Sequence, residues 1–247
     1  MCSVTWQLDD EGYQVFFNRD EQKSRALGLP PQQLQLNDIR VLMPIDPVGQ
    51  GSWISVNELG LTLCLLNNYQ GWCPKGTLIS RGQLLKGFSS KANTTEIEEA
   101  FYALDLMQYA PFVLVAFDPS LTKTHGDVLV FEWNGRTTQI YTRSTPLFSS
   151  GVDLDRVVAK RQATYERFIE TGRRDYIHLH ASHHDEQLHT SFCMHRADAH
   201  TVSFTHVAVT PNTQKMSYVP GAPCTQLDEV SLAKHSIYLP SNDAMAS

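Results

Sequence analysis

The order in which strand and helix patterns follow one another limits this chain to few architectures. Residues 2–8 and 13–17 alternate apolar and polar side chains around Asp9-Asp10-Glu11-Gly12, and this pattern predicts a β-hairpin. Further strands are predicted at 53–56, 61–66, 112–117, 128–133, 138–142, 202–209 and 215–219, and helices at 80–85, from residue 95 onwards and at 153–171. Because strands and helices come in separate runs rather than in βαβ alternation, we expect an α+β fold with mainly antiparallel sheet.

Local signals predict several element boundaries. The Asn134-Gly135 pair predicts the turn between the strands at 128–133 and 138–142. Thr95 followed by Glu98 has the form of a capping box and predicts a helix start. Gly172 is expected to end the long helix. Prolines at positions 30, 31, 44 and 47 predict irregular structure through the segment from 18 to 50.

Size and charge exclude several functional classes. The 247 residues contain no linker-like stretch and are 42% hydrophobic, which predicts a single domain over residues 1–247. The net charge of −6 argues against a nucleic-acid partner. Basic residues gather at Lys160-Arg161, Arg167 and Arg173-Arg174, where we expect a solvated helix face.

Neither a membrane span nor a signal peptide is predicted. No apolar run reaches the length of a span, and acidic residues 9–11 stand where a signal peptide would be apolar. We therefore expect a cytoplasmic protein without an integral membrane segment. The five cysteines fit a reducing compartment, because their number is odd and their spacing forms no disulfide framework; they are Cys2, Cys64, Cys73, Cys193 and Cys224.

The potential metal ligands follow no familiar pattern. A C-x-x-C pair is absent, so a structural zinc site is not expected. His178 and His180 would share one face of a strand, which could suit a transition metal. We favour a surface role for the histidine-rich segment, which also holds His183, His184, His189, His195 and His200, because no cysteine pair or regularly spaced carboxylate accompanies it. No cofactor is expected.

Cys2 is a candidate N-terminal nucleophile. It follows Met1 directly and would open the first strand. Removal of Met1 would leave a thiol and an α-amine on one residue. The α-amine has a reference pKa of about 7.7–8.0, so it could accept the thiol proton and generate the reactive thiolate. The alternative is an ordinary cysteine in an ordinary strand.

Two further groups of candidate site residues are polar and lie directly after predicted strands. Arg19 and Asp20 follow the second strand and would lie near Cys2 if the first two strands pair, where a guanidinium favours the thiolate; the alternative is an ion pair that only holds a loop. Asn67 and Asn68 follow the strand at 61–66, where an amide N–H could stabilise an oxyanion. The alternative for them is an Asx turn.

Four segments carry a resemblance to a known family: MCSVTWQLDDEGYQVFFNRDE, GQGSWISVNELGLTLCLLNNYQG, ISRGQLL and SFCMHRADAHTVSF. They cover most of the chain and resemble, in order, the NRDE family, also called the Transport and Golgi Organisation protein 2 family. That family is similar to N-terminal-nucleophile hydrolases of the choloylglycine hydrolase and penicillin acylase branch, which cleave non-peptide amide bonds. The resemblance implies a four-layer αββα sandwich of two mainly antiparallel sheets.

The resemblance also implies roles for the strand-end residues. Arg19 matches a strand-end arginine beside the nucleophile. Asp20 matches less well, since related enzymes place the aspartate slightly further along, and Glu21 is the alternative. An asparagine followed by an aromatic residue and a glycine supplies the oxyanion donor in related enzymes, and Asn67 or Asn68 could fill that place here.

Arg196 matches an arginine that approaches the nucleophile in this branch, and it could pair with a substrate carboxylate or with Asp20. One position departs from the pattern. Related hydrolases carry a further asparagine where this chain has Arg143 and Ser144. Loss of one oxyanion donor typically costs about 100- to 1,000-fold in rate, so this departure counts against efficient amidase chemistry.

Two functional hypotheses follow. The first is an N-terminal-cysteine hydrolase acting on an amide or thioester of a small acyl metabolite. The second is a non-catalytic protein of the same fold that binds or transfers an apolar metabolite such as a lipid, an acyl-CoA or haem. Either reading predicts a small acyl or lipid-like ligand as the partner, and the sequence does not define the oligomeric state.

Overall fold

The structure, a computed structural model, describes residues 2–184, 186 and 188–239. The strands within these ranges are β1 (Cys2–Leu8), β2 (Tyr13–Gln22), β3 (Leu29–Leu36), β4 (Ile39–Ile45), β5 (Ile54–Asn57), β6 (Thr62–Asn67), β7 (Phe112–Phe117), β8 (Val128–Trp133), β9 (Thr138–Arg143), β10 (Leu147–Ser149), β11 (Ala199–Thr210), β12 (Thr213–Pro220) and β13 (Ser236–Leu239). The helices are α1 (Arg81–Phe88), α2 (Thr94–Tyr102), α3 (Leu154–Glu170), α4 (Tyr176–Ala181), α5 (Pro223–Gln226) and α6 (Glu229–Lys234), with a 3-10 turn at Leu106–Gln108.

The strands form two antiparallel sheets. The first has the order β10-β1-β2-β11-β12-β13 and the second the order β3-β4-β5-β6-β7-β8-β9. Every pair of neighbouring strands in both sheets runs antiparallel. The predicted α+β class with mainly antiparallel sheet is confirmed.

Three of the apolar clusters among the described residues define four layers. Between the sheets, Val4 and Phe17 pack in one buried cluster with Val115 of the other sheet. α1 and α2 cover the outer face of the second sheet through a cluster that includes Phe101. α3, α4 and α6 cover the outer face of the first sheet in a third cluster, which contains Phe204. This is the αββα sandwich that the resemblance implied.

The N-terminal hairpin forms as predicted and places Cys2 opposite Arg19 in the register of β1 and β2. Its turn is closed by a hydrogen bond from the Asp9 N–H to the Gly12 carbonyl at 2.8 Å. A Cβ at Gly12 would lie 2.1 Å from the carbonyl oxygen of Val209, so only glycine lets this turn approach β11 so closely. The hairpin therefore fixes where the candidate nucleophile stands.

The prediction of irregular structure through the segment from 18 to 50 is wrong, because β2 continues to Gln22 and β3 and β4 follow it. Pro30 and Pro31 lie in β3, which is an edge strand of its sheet. Proline is tolerated at an edge because its missing N–H breaks no ladder bond there. The register shift between Leu29 and Gln32 absorbs the irregularity.

The helix predictions are partly right. α3 ends at Glu170 and is followed by Gly172 with φ +68°, as predicted. α2 begins one residue earlier than predicted, because Asn93 rather than Thr95 caps it by accepting the Glu96 N–H at 3.0 Å. Within the described residues, no helix has the length and apolarity that a membrane crossing requires.

Candidate active site

A cleft of about 240 Å³ lies where β1 begins and β2 and β6 end. Four of the predicted site residues line it, namely Cys2, Arg19, Asp20 and Asn67, together with the alternative Glu21. The remaining lining residues are Arg25, Asp46, Ser52, Trp53, Leu65, Ile79, Ser80, Arg81, Gly82 and Ala110. Residues at the start of β1 and at the ends of β2 and β6 therefore line the same cleft.

Cys2 is held on both sides, because β1 pairs with β2 and with β10. Arg19 is its register partner on β2 and Ser149 its partner on β10. Burial raises the pKa of the Cys2 thiol, while the positive charges of the amino terminus and of Arg19 act in the opposite direction and the Asp20 carboxylate adds to the rise. Burial therefore outweighs the two positive charges, and the thiol holds its proton more tightly than that of a free cysteine.

Arg19 is only 5% exposed and stacks on a tryptophan. Its guanidinium carbon lies 4.0 Å from the centre of the Trp53 ring, and its Nη2 atom donates to Glu21 at 3.2 Å. The buried Nη1 atom has no hydrogen-bond acceptor among the described residues. Arg19 thus places a largely desolvated guanidinium, paired with Glu21, at the wall of the cleft.

Asp20 is part of a buried network behind the cleft. Arg161 on α3 donates to it at 3.2 Å, and the Thr201 hydroxyl donates at 2.6 Å. Arg161 also donates to the Ser3 hydroxyl, so one guanidinium joins β1, β2 and α3. The expectation that Arg161 belongs to a solvated helix face is wrong, because its side chain is 0% exposed.

The two asparagines differ in their hydrogen-bond partners, and both line a pocket beside the Cys2 cleft. Asn67 lines the Cys2 cleft and donates to the Tyr69 hydroxyl at 2.8 Å. Asn68 lines a neighbouring pocket and donates to Glu132 at 3.1 Å. Of the two asparagines, only Asn67 lines the same cleft as Cys2.

Arg196 lies in an adjacent cleft, whose lining it shares with Asp20 and Glu21 but not with Cys2. Its guanidinium donates to both carboxylate oxygens of Asp198, one of them at 2.9 Å. Arg143 donates to backbone carbonyls of its own loop and lines neither cleft. The strand β10, which the sequence did not predict, brings Ser149 rather than Arg143 beside Cys2.

Sequence reasoning missed two further basic residues that line the cleft, Arg25 and Arg81. Arg25 forms an ion pair with Asp46 and a weaker one with Glu21 at 3.7 Å. Arg81 opens α1 and donates to the Pro111 carbonyl at 2.9 Å, and burial lowers its pKa. The sequence did contain a signal for Arg81, because this residue lies in ISRGQLL, one of the four segments that carry the family resemblance. Among the described residues, the one close group of three potential metal ligands lies outside this cleft.

The comparisons with solved structures agree with this architecture. The C2A mutant of conjugated bile acid hydrolase from Clostridium perfringens superposes with a TM-score of 0.56 at 12% identity, covering 89% of this chain and 92% of that one. Penicillin V acylase from Agrobacterium tumefaciens gives 0.54 at 12% identity, covering 89% and 83%. The Caenorhabditis elegans N-acylethanolamine-hydrolyzing acid amidase orthologue gives 0.54 at 12% identity, covering 97% and 100%.

The fold is therefore that of the N-terminal-nucleophile hydrolases. No curated protein sequence matches the chain. The sequence pattern of the family described as Transport and Golgi organisation 2 matches residues 1–241, and the chain belongs to that family.

Proposed function

We propose that the protein is an N-terminal-cysteine hydrolase that cleaves an amide or thioester of a small acyl compound. One observation carries the proposal: Cys2 lies opposite Arg19 at the start of a strand, at the wall of a cleft that Asn67 also lines. A nucleophile, a positive charge and an amide donor at one opening are the parts that acyl transfer needs.

The chemistry begins with removal of Met1, which exposes the Cys2 α-amine. Because burial raises the pKa of the thiol, the amine has to take its proton before attack. The thiolate forms a bond to the acyl carbon and pushes the carbonyl electrons onto oxygen, where the Asn67 amide can donate. Collapse of this intermediate expels the amine or thiol, which takes the proton from the α-ammonium. Water then hydrolyses the thioester and regenerates Cys2.

The cleft suggests the kind of substrate. Its volume of about 240 Å³ is below the roughly 300–1,000 Å³ that is usual for ligand pockets. The acyl group that enters should therefore be short. Arg19 and Arg81 both line the cleft. A carboxylate or another anionic group on the substrate would be attracted by these two guanidinium groups.

The polar lining weighs against the second hypothesis, that of a binder of apolar metabolites. Six ionisable side chains other than Cys2 face the cleft, three basic and three acidic: Arg19, Arg25, Arg81, Asp20, Glu21 and Asp46. An apolar ligand would have to desolvate these groups without giving them partners, which is costly. The hydrolase is therefore the function we put forward.

The experiment compares hydrolysis by the full chain with that by Cys2→Ala. Substrates are short N-acyl anilides and acyl thioesters, with and without a terminal carboxylate, and intact mass first establishes whether Met1 has been removed. We expect turnover with the wild type, an acyl adduct on Cys2, and loss of both in Cys2→Ala. Cys73→Ala is the matched control, because Cys73 is exposed and lies outside the cleft lining.

Two results would contradict the proposal. One is a protein that keeps Met1 throughout its population. The other is hydrolysis that is equal in the wild type and Cys2→Ala.

A further inference from the structure

A second group of reactive side chains lies away from the cleft lining. Cys193 and His195 belong to the segment before β11, and Cys224 belongs to α5. The His195 Nε2 atom is 3.5 Å from the Cys193 sulfur and 3.3 Å from the Cys224 sulfur. All three ligand atoms lie within 4.8 Å of one another. Cys193 is fully buried, and the other two are partly buried.

The spacing matches coordination geometry. Zinc binds sulfur at about 2.3 Å and imidazole nitrogen at about 2.0–2.1 Å with tetrahedral angles, which puts a bound sulfur and a bound nitrogen about 3.6 Å apart. The observed separations of 3.5 and 3.3 Å need little adjustment to reach that value. Two sulfurs and one imidazole are also a ligand set that zinc and similar thiophilic ions prefer.

We propose that Cys193, His195 and Cys224 form a binding site for a thiophilic transition-metal ion of the zinc class, with these three side chains as protein ligands. The sequence did not reveal it, because the ligands follow no C-x-x-C spacing and Cys224 lies 29 positions beyond His195. Binding of a divalent ion displaces one proton from each thiol, and both protons pass to the solvent.

The surroundings of the three ligands show which parts of the chain a bound ion would connect. His183 packs against His195 with ring centres 4.4 Å apart, and its Nδ1 atom lies 3.0 Å from the Cys193 carbonyl oxygen. Because a carbonyl only accepts, Nδ1 carries the proton, and the ring braces the loop that holds the ligands. Between the ligands, the Met194 N–H donates to Thr201 at 2.8 Å, and Thr201 is the residue that donates to Asp20. A bound ion would link α5 to the segment before β11, and hydrogen bonds through Thr201 connect that segment to Asp20 in the cleft lining.

The test is a cobalt titration of the reduced, metal-free full chain. We expect one equivalent of Co²⁺ to give thiolate-to-cobalt charge-transfer absorption and the intense visible bands of a tetrahedral ion, both abolished by Zn²⁺. Zinc at about 100 times its Kd should raise the melting temperature by about 5–10 °C. Removal of a residue that only hydrogen-bonds a metal ligand already costs about 10- to 100-fold in metal affinity. Cys224→Ser and His195→Gln should therefore weaken binding at least 100-fold.

Matched variants separate this site from other thiols and histidines. Cys73→Ser and His125→Gln should bind cobalt as the wild type does, because both residues lie outside the cluster. Cys2→Ala should also bind normally. Cobalt spectra lost in Cys2→Ala but kept in Cys224→Ser would place the ion at the amino terminus and overturn the proposal. A Cys193–Cys224 disulfide that persists after treatment with a thiol reductant, or no thiolate–cobalt absorption with correctly folded wild type, would overturn it as well.

Discussion

Replacing Arg161 by methionine tests the inference that a buried cation holds Asp20 behind the candidate nucleophile. The side chains of Arg161 and Asp20 are both 0% exposed, and Nη2 lies 3.2 Å from the carboxylate oxygen. Methionine fills a similar volume but removes the Arg161 cation from beside the buried Asp20 carboxylate. It also removes the donor to the Ser3 hydroxyl.

The expected magnitude follows from the burial. Two unit charges about 4 Å apart attract by about 4 kcal/mol at an effective dielectric constant of about 20. Measured losses on breaking one partner of a buried pair are about 3–5 kcal/mol. We therefore expect the free energy of unfolding to fall by about 3–5 kcal/mol. For a domain of this size that corresponds to a melting temperature lower by about 6–20 °C, at about 2–4 °C per kcal/mol.

Urea denaturation and thermal melts measure this loss. Arg156→Met is the matched control, because Arg156 lies on the same helix and is exposed; it should change the free energy of unfolding by less than about 0.5 kcal/mol. Combining Arg161→Met with Asp20→Asn should recover part of the loss, since the neutral amide does not need the cation that Arg161 supplied. Equal losses in Arg161→Met and Arg156→Met would refute the buried-charge reasoning.

Three further predictions concern the cleft and the histidines. Asn67→Ala should lower the acylation rate by about 100- to 1,000-fold, as expected for an oxyanion donor, whereas Asn68→Ala should stay within a few-fold; equal effects would reject the assignment. Since Arg19 lowers the pKa of the Cys2 thiol, Arg19→Met should raise it, slow alkylation of Cys2 at neutral pH and move the pH–rate curve to higher pH; an unchanged curve would exclude this coupling. Burial lowers the pKa of His180 from 6.5 to about 3, so only the unfolded chain binds its proton between these values. The free energy of unfolding should therefore decrease as the pH is lowered from 6.5 to about 3, by up to about 1.4 kcal/mol per pH unit. The decrease should be smaller in His180→Gln.

The local part of the fold could be predicted from the sequence. The two-residue period of the first 17 residues, with its polar turn, gives the hairpin and hence the pairing of Cys2 with Arg19. Asn134-Gly135 gives the turn between β8 and β9, where Gly135 has φ +90°. These predictions succeed because each depends on residues close together in the chain.

The long-range part could not be predicted. Arg161 lies 141 positions from Asp20, and a helical pattern shows which positions share a face but not that a buried carboxylate will meet one of them. To tell from the sequence which of Asn67 and Asn68 lines the Cys2 cleft, one must know the last residue of β6, because neighbours along a strand point to opposite faces. His178 and His180 were considered as strand residues, but they lie on α4.

The confinement of β1 between β2 and β10 has a practical consequence for handling the protein. Any sequence fused ahead of Cys2 starts at the wall of the cleft and turns the α-amine into a peptide nitrogen. A purification tag at that end would abolish the proposed base and crowd the opening at the same time. Recombinant protein should therefore carry its tag at the other terminus, or carry one whose cleavage leaves cysteine as the first residue.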